Sequence, residues 1–251
     1  MAKKAIGIDV GGTGIKAGVV DTKIGELVSE RLRVETPAGG GPEAIAGACR
    51  DLLDRFEVKK SVPVGICFPA VVRHGFTQSA ANISDEWIGL NAASLFEAFL
   101  DRHVHIINDA DAAGAAEMKF GAGQGSKGLT IMTTLGTGIG TALFYNGVLI
   151  PNSELGHLEI DGFDAETKAS FAAKERDELS FEQWAVRLQR YYETLERLLT
   201  PDLFIVGGGI SKSHQEFLPL LDINTRIVAA KTKNSAGIIG AASLAYLSSA
   251  D

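Results

Sequence analysis

The chain has 251 residues, and its shares of hydrophobic (45%) and charged (22%) residues are ordinary for a globular protein with room for two modest domains. A formal net charge of -7 argues against a nucleic-acid partner, which would need a basic surface. No window approaches the roughly 18 apolar residues of a membrane span and the first residues do not form a signal peptide, so we expect a cytoplasmic protein without a membrane partner.

The first predicted element is a β-hairpin around a glycine-rich turn. Two apolar runs rich in β-branched residues, 5–10 and 15–20, enclose the turn. Glycines there remove the Cβ atoms that would keep a phosphate from the backbone N–H groups, and they permit the positive φ values that aim neighbouring amides at one point. The pattern fits a phosphate-binding turn as well as a plain tight turn. The residues concerned are Asp9, Gly11, Gly12, Thr13, Gly14 and Lys16.

The next segments predict one half of a mixed α/β layer structure. A strand is expected at 26–36, a helix that begins at Pro42 and carries apolar residues to Phe56, and a buried strand at 62–68. Residues 73–90 lack a clear period and contain several polar side chains, so they either line a site or form an exposed connection.

An aspartate then follows the end of a predicted strand. The strand at 103–107 leads into Asn108 and Asp109, and a helix is expected at 112–120. Open α/β proteins place their chemistry at the carboxyl ends of strands, which makes Asp109 a candidate general base. The competing interpretation is a helix N-cap, a role that Asp111 offers as well.

A second glycine hairpin repeats the first one. After the strand at 129–133, the turn 136–139 aligns with 12–15 when the sequence is shifted by 124 positions. Two such turns predict two halves of similar structure that face each other across a cleft and offer amides to one chain of phosphates. We expect the first domain to comprise 1–108 plus a returning helix at about 237–251, and the second to comprise 109–236.

A histidine and two carboxylates come together soon after the second hairpin, at Glu154, His157 and Glu159. They suit a metal site, an acid–base pair or a set of groups that bind sugar hydroxyls. Metal is the weakest of these three, because no cysteine and no further histidine lies nearby.

The remaining elements complete the second half. A helical region at 164–199, broken near 179–180, has an apolar stripe that packs against a sheet or against a partner subunit in a homodimer. A strand at 203–206 leads into Gly207, Gly208 and Gly209, which fit either nucleotide binding or a tight turn. A strand at 226–230 and an alanine-rich helix at 237–247 close the chain.

Taken in order, these motifs resemble the ROK family of sugar kinases within the actin-like hexokinase superfamily, and within it the polyphosphate-dependent glucokinases. The resemblance spans nearly the whole chain. Its motifs are DVGGTGIK, NDADAAGAAE, TTLGTGIG, ELGH and IVGGGIS. One departure is clear, because many family members carry a cysteine-rich zinc loop after the GH pair and here no cysteine lies beyond Cys67, so no zinc site is expected there.

The resemblance implies an α/β fold of two actin-like (ribonuclease H-like) domains with a cleft between them, and a glucokinase reaction. Asp109 would accept the proton of the glucose 6-hydroxyl, with mannose as a second candidate sugar. Glu166 is expected to replace the acidic sugar ligand that normally follows the zinc loop, with Glu159 as its rival. The residues implied to hold the other sugar hydroxyls are Asn108, Glu154, His157 and Glu166.

The resemblance also implies a phosphoryl donor, either inorganic polyphosphate or ATP, together with Mg²⁺ that Asp9 orients through water. Gly208 and Gly209 would flank an adenosine if ATP is the donor. The residues implied to bind the phosphates are Gly11, Gly12, Thr13, Lys16, Thr134, Gly136, Thr137 and Gly138.

Two other functions remain open at this point. ROK relatives include sugar-sensing regulators, but these carry a DNA-binding region before the first strand, which here is predicted to begin at residue 5. A nucleotide-driven assembly protein of the actin-like superfamily is the second alternative, and the ELGH motif disfavours it.

Overall fold

The computed structural model describes residues 3–249, which form two compact units. Unit 1 comprises residues 3–116 and 235–249, and unit 2 comprises residues 117–234. In the part of the chain that is described, no helix combines the length and the apolar character needed to cross a bilayer.

Strands and helices alternate along both units. The strands are β1 (Lys4–Gly11), β2 (Gly14–Asp21), β3 (Glu26–Leu27), β4 (Leu32–Val34), β5 (Val64–Phe68), β6 (Val72–Arg73), β7 (Phe76–Thr77), β8 (Val104–Asn108), β9 (Leu129–Leu135), β10 (Ile139–Tyr145), β11 (Val148–Ile150), β12 (Glu159–Ile160), β13 (Phe163–Asp164), β14 (Leu203–Gly207) and β15 (Arg226–Ala229). The α-helices are α1 (Pro42–Leu53), α2 (Ala92–Leu100), α3 (Asp109–Phe120), α4 (Glu166–Ala169), α5 (Phe171–Arg176), α6 (Phe181–Leu199) and α7 (Ala236–Ser248).

Unit 1 is built on a sheet with the strand order β3-β2-β1-β5-β8, in which β4 also pairs with β2. The hairpin β1–β2 is antiparallel, as the sequence predicts, while β5 and β8 run parallel to β1. The carboxyl ends of these three parallel strands therefore lie at one edge of the sheet, where open α/β proteins place polar groups.

Helices cover both faces of this sheet. The apolar side chains of β1, such as Ile6 and Ile8, share a buried cluster with residues of α1 and α2. On the other face, α7 comes so close that a Cβ on Gly65 would collide with the carbonyl oxygen of Ala241. A side chain at this position would push the helix off the sheet, because interiors are packed without spare room.

Unit 2 repeats this topology. Its sheet has the order β11-β10-β9-β14-β15, again an antiparallel hairpin followed by two parallel strands. The two halves are of similar structure, as the repeated hairpins predict. The apolar stripe of α6 lies in the core of this unit, where Trp184, Leu188 and Tyr192 are fully buried. The stripe thus packs within its own unit and gives no argument for a partner subunit, so the homodimer stays a prediction.

The units divide at other residues than the sequence suggested. The expected boundary follows Asn108, whereas the observed one falls inside α3, after Ala116, and the second crossing lies between Asn234 and Ser235. The first turns of α3 belong to unit 1 because they pack closely on α7, where a Cβ on Gly240 would collide with the carbonyl oxygen of Ala112.

A buried carboxylate joins the two chain segments next to these crossings. Glu117 is fully buried, and its Oε1 accepts hydrogen bonds from the backbone N–H groups of Lys231 (2.8 Å) and Thr232 (2.6 Å) and from the Thr232 hydroxyl (2.5 Å). Its Oε2 accepts from the N–H of Ala122 at 2.7 Å. Four donors around one carboxylate meet the requirement for burying a charge.

Three predicted elements differ from the structure. The predicted strand at 26–36 is divided into the two short strands β3 and β4. Between them, the N–H of Val19 donates to the Ser29 hydroxyl instead of to a backbone carbonyl oxygen of a paired strand. The helical region predicted from 164 is wrong at its start, because Asp164 lies in the hairpin β12–β13. The loop at 73–90 contains the hairpin β6–β7 and a buried Trp87, which anchors it by a hydrogen bond to the carbonyl oxygen of Gly40 (2.9 Å).

Candidate functional site

The first glycine turn lies between β1 and β2, with Asp9 and Lys16 facing each other across the hairpin. The Lys16 ammonium donates to Oδ2 of Asp9 at 3.0 Å, and both side chains are partly exposed. Thr13, at the tip of the turn, is exposed. The turn thus presents a carboxylate, an ammonium and a hydroxyl next to accessible backbone amides.

Gly12 in the first hairpin turn is needed for close approach and not for an unusual backbone angle. Positive φ was expected there, but Gly11, Gly12, Gly14, Gly136 and Gly138 all adopt other values. A Cβ on Gly12 would instead lie 2.8 Å from the carbonyl oxygen of Asn82. Around Gly136 there is open space, while its N–H donates to the carbonyl oxygen of Gly138 at 3.0 Å.

Two neighbours of the first turn were not predicted. Arg33 lies on β4, opposite Lys16 on β2, and its Nη2 donates to the carbonyl oxygen of Thr13 at 3.1 Å. Cys67 lies on β5, opposite Asp9, and its thiol donates to Oδ1 of Asp9 at 3.4 Å. Strand pairing brings both residues to the turn, and a single sequence does not reveal this pairing.

Asn108 and Asp109 end β8 and begin α3. The Asn108 side chain is buried, accepts hydrogen bonds through Oδ1 from the N–H groups of Ala110 (2.8 Å) and Asp111 (3.1 Å), and donates through Nδ2 to the carbonyl oxygen of Ala70 (3.2 Å). Asn108 is therefore a capping residue of α3. Asp109 is exposed, and its Oδ1 accepts from the N–H of Ala110 at 2.8 Å.

Asp9 and Asp109 lie near the same buried thiol. The pKa of Cys67 is raised well above its usual value by burial and further by the charges of Asp9 and Asp109. The parallel strands β1, β5 and β8 bring these groups to one edge of the sheet. Unit 1 thus brings together the predicted phosphate turn, the predicted Mg²⁺ residue and the predicted base.

In unit 2, the second glycine turn is in contact with Glu166. Oε2 of Glu166 accepts from the N–H of Ile139 at 2.9 Å, and its carboxylate lies against Gly138, where a Cβ would displace it. Thr137, at the tip, is exposed. The rival sugar ligand Glu159 lies on β12, is exposed, and pairs in register with Asp164.

The segment from Glu154 to His157 lies against β10. The N–H of Leu155 donates to the Thr141 hydroxyl at 3.0 Å, and Gly156 fits only because it lacks a side chain, since a Cβ would collide with the carbonyl oxygen of Ile139. The segment is thereby placed next to the strand that leaves the second turn. Both Glu154 and His157 remain exposed.

His157 is held by a residue that the sequence did not single out. Its Nδ1 lies 2.8 Å from Oδ2 of Asp164, and its Nε2 lies 3.9 Å from Oε2 of Glu154. The hydrogen bond with Asp164 raises the pKa of His157, an effect that burial opposes and the charges of Glu166, Asp164 and Glu154 reinforce. The pKa of Glu154 is raised, chiefly by partial burial and further by the charge of Glu166, although the charge of His157 acts in the opposite direction.

His157, Asp164 and Glu166 also have the composition of a cation site. One ligand atom of each lies within 4.8 Å of the others. In the structure, hydrogen bonds already engage all three, since Asp164 binds His157 and Glu166 binds the N–H of Ile139. A metal ion would have to replace these bonds.

The third glycine cluster follows β14, which pairs with β9 so that Gly207 faces Thr134. Gly208 has a φ of 85° and approaches Leu135 so closely that a Cβ would collide with its carbonyl oxygen. Gly209 is exposed and has open space around it. The chain continues from there as a 3-10 helix that is kinked at Ser213.

Within unit 2, the structure brings the second turn, the Glu154–His157 segment and Glu166 together around β9 and β10 and their turn, and Gly208 joins them beside the end of β9. Asp164 was missed, and its signal was present. The dipeptide Asp161-Gly162 between apolar residues is typical of a two-residue hairpin turn.

The sequence model of the ROK family matches residues 5–170. A polyphosphate glucokinase of Mycobacterium tuberculosis (strain CDC 1551 / Oshkosh) is 44% identical over 241 residues, which cover 96% of this chain and 90% of that protein.

Solved structures agree with this finding. The inorganic polyphosphate/ATP-glucomannokinase of Arthrobacter sp. strain KM matches with a TM-score of 0.93 and 51% identity, covering 98% of this chain and 99% of that one. A ROK family glucokinase of Streptomyces griseus, in complex with glucose and AMPPNP, matches with a TM-score of 0.80 and 26% identity over 96% of this chain and 98% of that one. These matches confirm the α/β fold class with actin-like units, while the cleft stays a prediction.

Proposed function

Since the chain belongs to the ROK family, we propose that it is a glucokinase that transfers a phosphoryl group to the 6-hydroxyl of glucose, with inorganic polyphosphate, ATP or both as donor. The glucomannokinase of Arthrobacter makes mannose a further candidate acceptor. Phosphoryl transfer needs a positioned acceptor, groups that bind the phosphates, and a residue that takes the hydroxyl proton.

One observation carries the assignment of the base. Asp109 is exposed directly after the end of β8, while its neighbour Asn108 caps α3. Asn108 accepts from two amides of the helix start, and Asp109 shares only that of Ala110, which supports a role of Asp109 in catalysis over the capping role. We assign Asp109 as the general base that accepts the 6-hydroxyl proton as the oxygen attacks the terminal phosphorus of the donor.

The sugar is held, in this proposal, by Asn108, Glu154, His157 and Glu166. Glu166 is favoured over Glu159 as the second carboxylate, because Glu166 contacts the second turn and Glu159 lies in the hairpin β12–β13 with its side chain exposed. Carboxylates and imidazole make directional hydrogen bonds to hydroxyl groups, which suits selection among hexoses.

The donor phosphates are assigned to the two hairpin turns. Thr13 and Thr137, at the tips of the two turns, are exposed, and Lys16 adds a positive charge beside the first turn. Gly208 and Gly209 would take the adenosine of ATP. Nothing in either turn requires a nucleoside, which supports polyphosphate as an equally suitable donor.

Mg²⁺ fits the first turn. The Asp9 carboxylate is a hard oxygen donor, partly exposed and adjacent to the turn, so it can hold the ion through water, which Mg²⁺ retains readily. Bound there, Mg²⁺ would neutralise charge on the donor phosphates. We expect the enzyme to act in the cytoplasm, where buried thiols such as Cys49 and Cys67 stay reduced.

The test is formation of glucose 6-phosphate by the purified protein, with polyphosphate and ATP supplied separately and mannose run in parallel. Asp109→Asn should lower the rate by roughly 10²- to 10⁴-fold while glucose still binds, as measured by calorimetry. Asp51→Asn, the same change on the exposed face of α1, is the matched control and should leave the rate unchanged.

Three results would count against the proposal. Full activity of Asp109→Asn would show that Asp109 is not the general base and would make Asp111 the next candidate. Glucose binding without phosphoryl transfer by the wild-type protein would favour a sugar-sensing role. Consumption of the donor at the same rate without any hexose would favour a nucleotide-driven assembly protein.

A further inference from the structure

Asp164 contacts two of the proposed sugar-binding residues at once. Its Oδ2 lies 2.8 Å from Nδ1 of His157, and its Oδ1 accepts from the backbone N–H of Glu166 at 3.2 Å. Its backbone carbonyl oxygen accepts from the Thr167 hydroxyl at 2.6 Å, in the first turn of α4. One residue thus fixes an imidazole ring on one side and the start of the helix that carries Glu166 on the other.

We propose that Asp164 is a positioning residue for sugar binding, which holds the His157 ring and the backbone of Glu166 through its two carboxylate oxygens. The inference rests on the proposed function for the roles of His157 and Glu166. Asp164 itself is not assigned a contact with the sugar.

The contact with Asp164 decides which nitrogen of His157 carries a proton. A carboxylate only accepts hydrogen bonds, so Nδ1 must be the protonated nitrogen whenever the ring is neutral. The other nitrogen, Nε2, then meets the sugar as an acceptor, and as a donor once the ring is charged. Carboxylate–histidine pairs of this kind fix ring orientation and tautomer at metal and catalytic sites.

The geometry on the Nε2 side fits a hydroxyl group. Nε2 lies 3.9 Å from Oε2 of Glu154, too far for a direct hydrogen bond. A single hydroxyl oxygen between them would lie within hydrogen-bond distance of both atoms. It would accept from Nε2–H of the charged ring and donate its own proton to Oε2. Rotation of the His157 side chain about its χ1 or χ2 bond would move Nε2 away from Oε2 of Glu154. The contact of Nδ1 with Asp164 prevents this rotation and therefore favours sugar binding.

The hairpin β12–β13 holds Asp164 in place. Asp161 and Gly162 form its two-residue turn, with φ values of 55° and 81°. Two hydrogen bonds from the Arg190 guanidinium to the Asp161 carboxylate, at 2.7 and 2.8 Å, fasten the turn to α6. Asp164 is therefore positioned by a short ordered hairpin.

The first test is the state of the His157 ring in the protein without sugar, read from its ¹⁵N chemical shifts by NMR. We expect the wild-type protein to show Nδ1 protonated at neutral pH and Asp164→Ala to show a mixture of tautomers. Asp161→Asn is the matched control, because it lies on the same hairpin and its side chain bonds to Arg190 instead of His157. It should keep the wild-type spectrum.

The second test separates binding from catalysis. Asp164→Ala should raise the KM for glucose by roughly tenfold, the lower range for loss of such an orienting partner, and leave kcat within about threefold. Asp164→Asn should have a KM for glucose between those of the wild-type protein and Asp164→Ala, because its single side-chain oxygen can bond to His157 or to the N–H of Glu166 and not to both. A fall in kcat with an unchanged KM would overturn the proposal, as would wild-type kinetics in Asp164→Ala.

A bound metal ion is the competing explanation, and the same variants test it. Stoichiometric zinc in the purified protein, lost in Asp164→Ala, would make Asp164 a metal ligand and overturn the positioning role. The NMR experiment needs no kinase activity. If the wild-type protein phosphorylates no hexose, the proposed function fails while the ring measurement still decides whether Asp164 sets the state of His157.

Discussion

Replacing Glu117 by glutamine tests whether its buried carboxylate stabilises the protein as the contacts indicate. Three of its four hydrogen bonds end on Oε1, from Lys231 and Thr232, and the fourth joins Oε2 to the N–H of Ala122. Glutamine has one oxygen. If this oxygen serves the three donors, the amide NH₂ faces the N–H of Ala122, and two donors oppose each other.

The magnitude follows from these contacts. A hydrogen bond to a charged group contributes about 1.5–3 kcal/mol, and the three retained bonds weaken because the acceptor is now neutral. We expect Glu117→Gln to lower the free energy of unfolding by about 3 kcal/mol. For a chain of this size that corresponds to a fall in Tm of about 6–12 °C.

Thermal unfolding followed by circular dichroism measures the change. Glu193→Gln is the matched control, because Glu193 is exposed on α6 and accepts one bond from Gln189, so its Tm should change by less than about 2 °C. A Tm of Glu117→Gln within the same 2 °C would refute the reasoning. It would mean that the four donors find other acceptors without cost.

Four further changes have defined outcomes. Cys67→Val removes the thiol donor and should raise the Mg²⁺ concentration for half-maximal rate roughly tenfold, whereas Cys67→Ser keeps a donor and should change it little. Gly65→Ala should destabilise the protein by about 1–3 kcal/mol by displacing α7, whereas Gly47→Ala on α1, which has open space, should be neutral or stabilising. Arg33→Gln should raise the KM for polyphosphate roughly tenfold and leave that for glucose unchanged, since it removes a cation beside the first turn. The pKa of His157 is raised in the folded protein, so the stabilisation from its charged form is complete below about pH 6.5 and is lost as the pH rises through the raised pKa. The difference in Tm between the wild-type protein and His157→Gln should therefore shrink as the pH is raised from about 5.5 to 8.5.

The sequence was most informative where a local signal coincides with the final structure. Both glycine hairpins are visible as apolar runs around glycines, and strand β8 followed by Asn108 and Asp109 is visible as a buried run that ends in polar residues. The family motifs then gave these residues their proposed roles. Each of these features is contained within about 15 consecutive residues, so it does not depend on the rest of the fold.

Features that depend on pairing between distant segments were missed. Arg33 and Cys67 reach the first turn through strand register, which local sequence does not encode. Asp164 was missed for a local reason: β12 and β13 have only two residues each, too few to show a period of two, so the residue was assigned to a helix. The boundary inside α3 depends on the packing of α7 against it, a contact between residues far apart in the chain.

The side chain of Asn108 has little bonding capacity left once the helix is capped. Oδ1 already accepts from two amides and one N–H of the carboxamide is directed at Ala70, which leaves chiefly the second N–H of Nδ2 for an incoming molecule. An acceptor oxygen can therefore bind at Asn108, whereas a group that can only donate cannot. The capping geometry thus limits inhibitors of the enzyme at this position to compounds that carry an acceptor there.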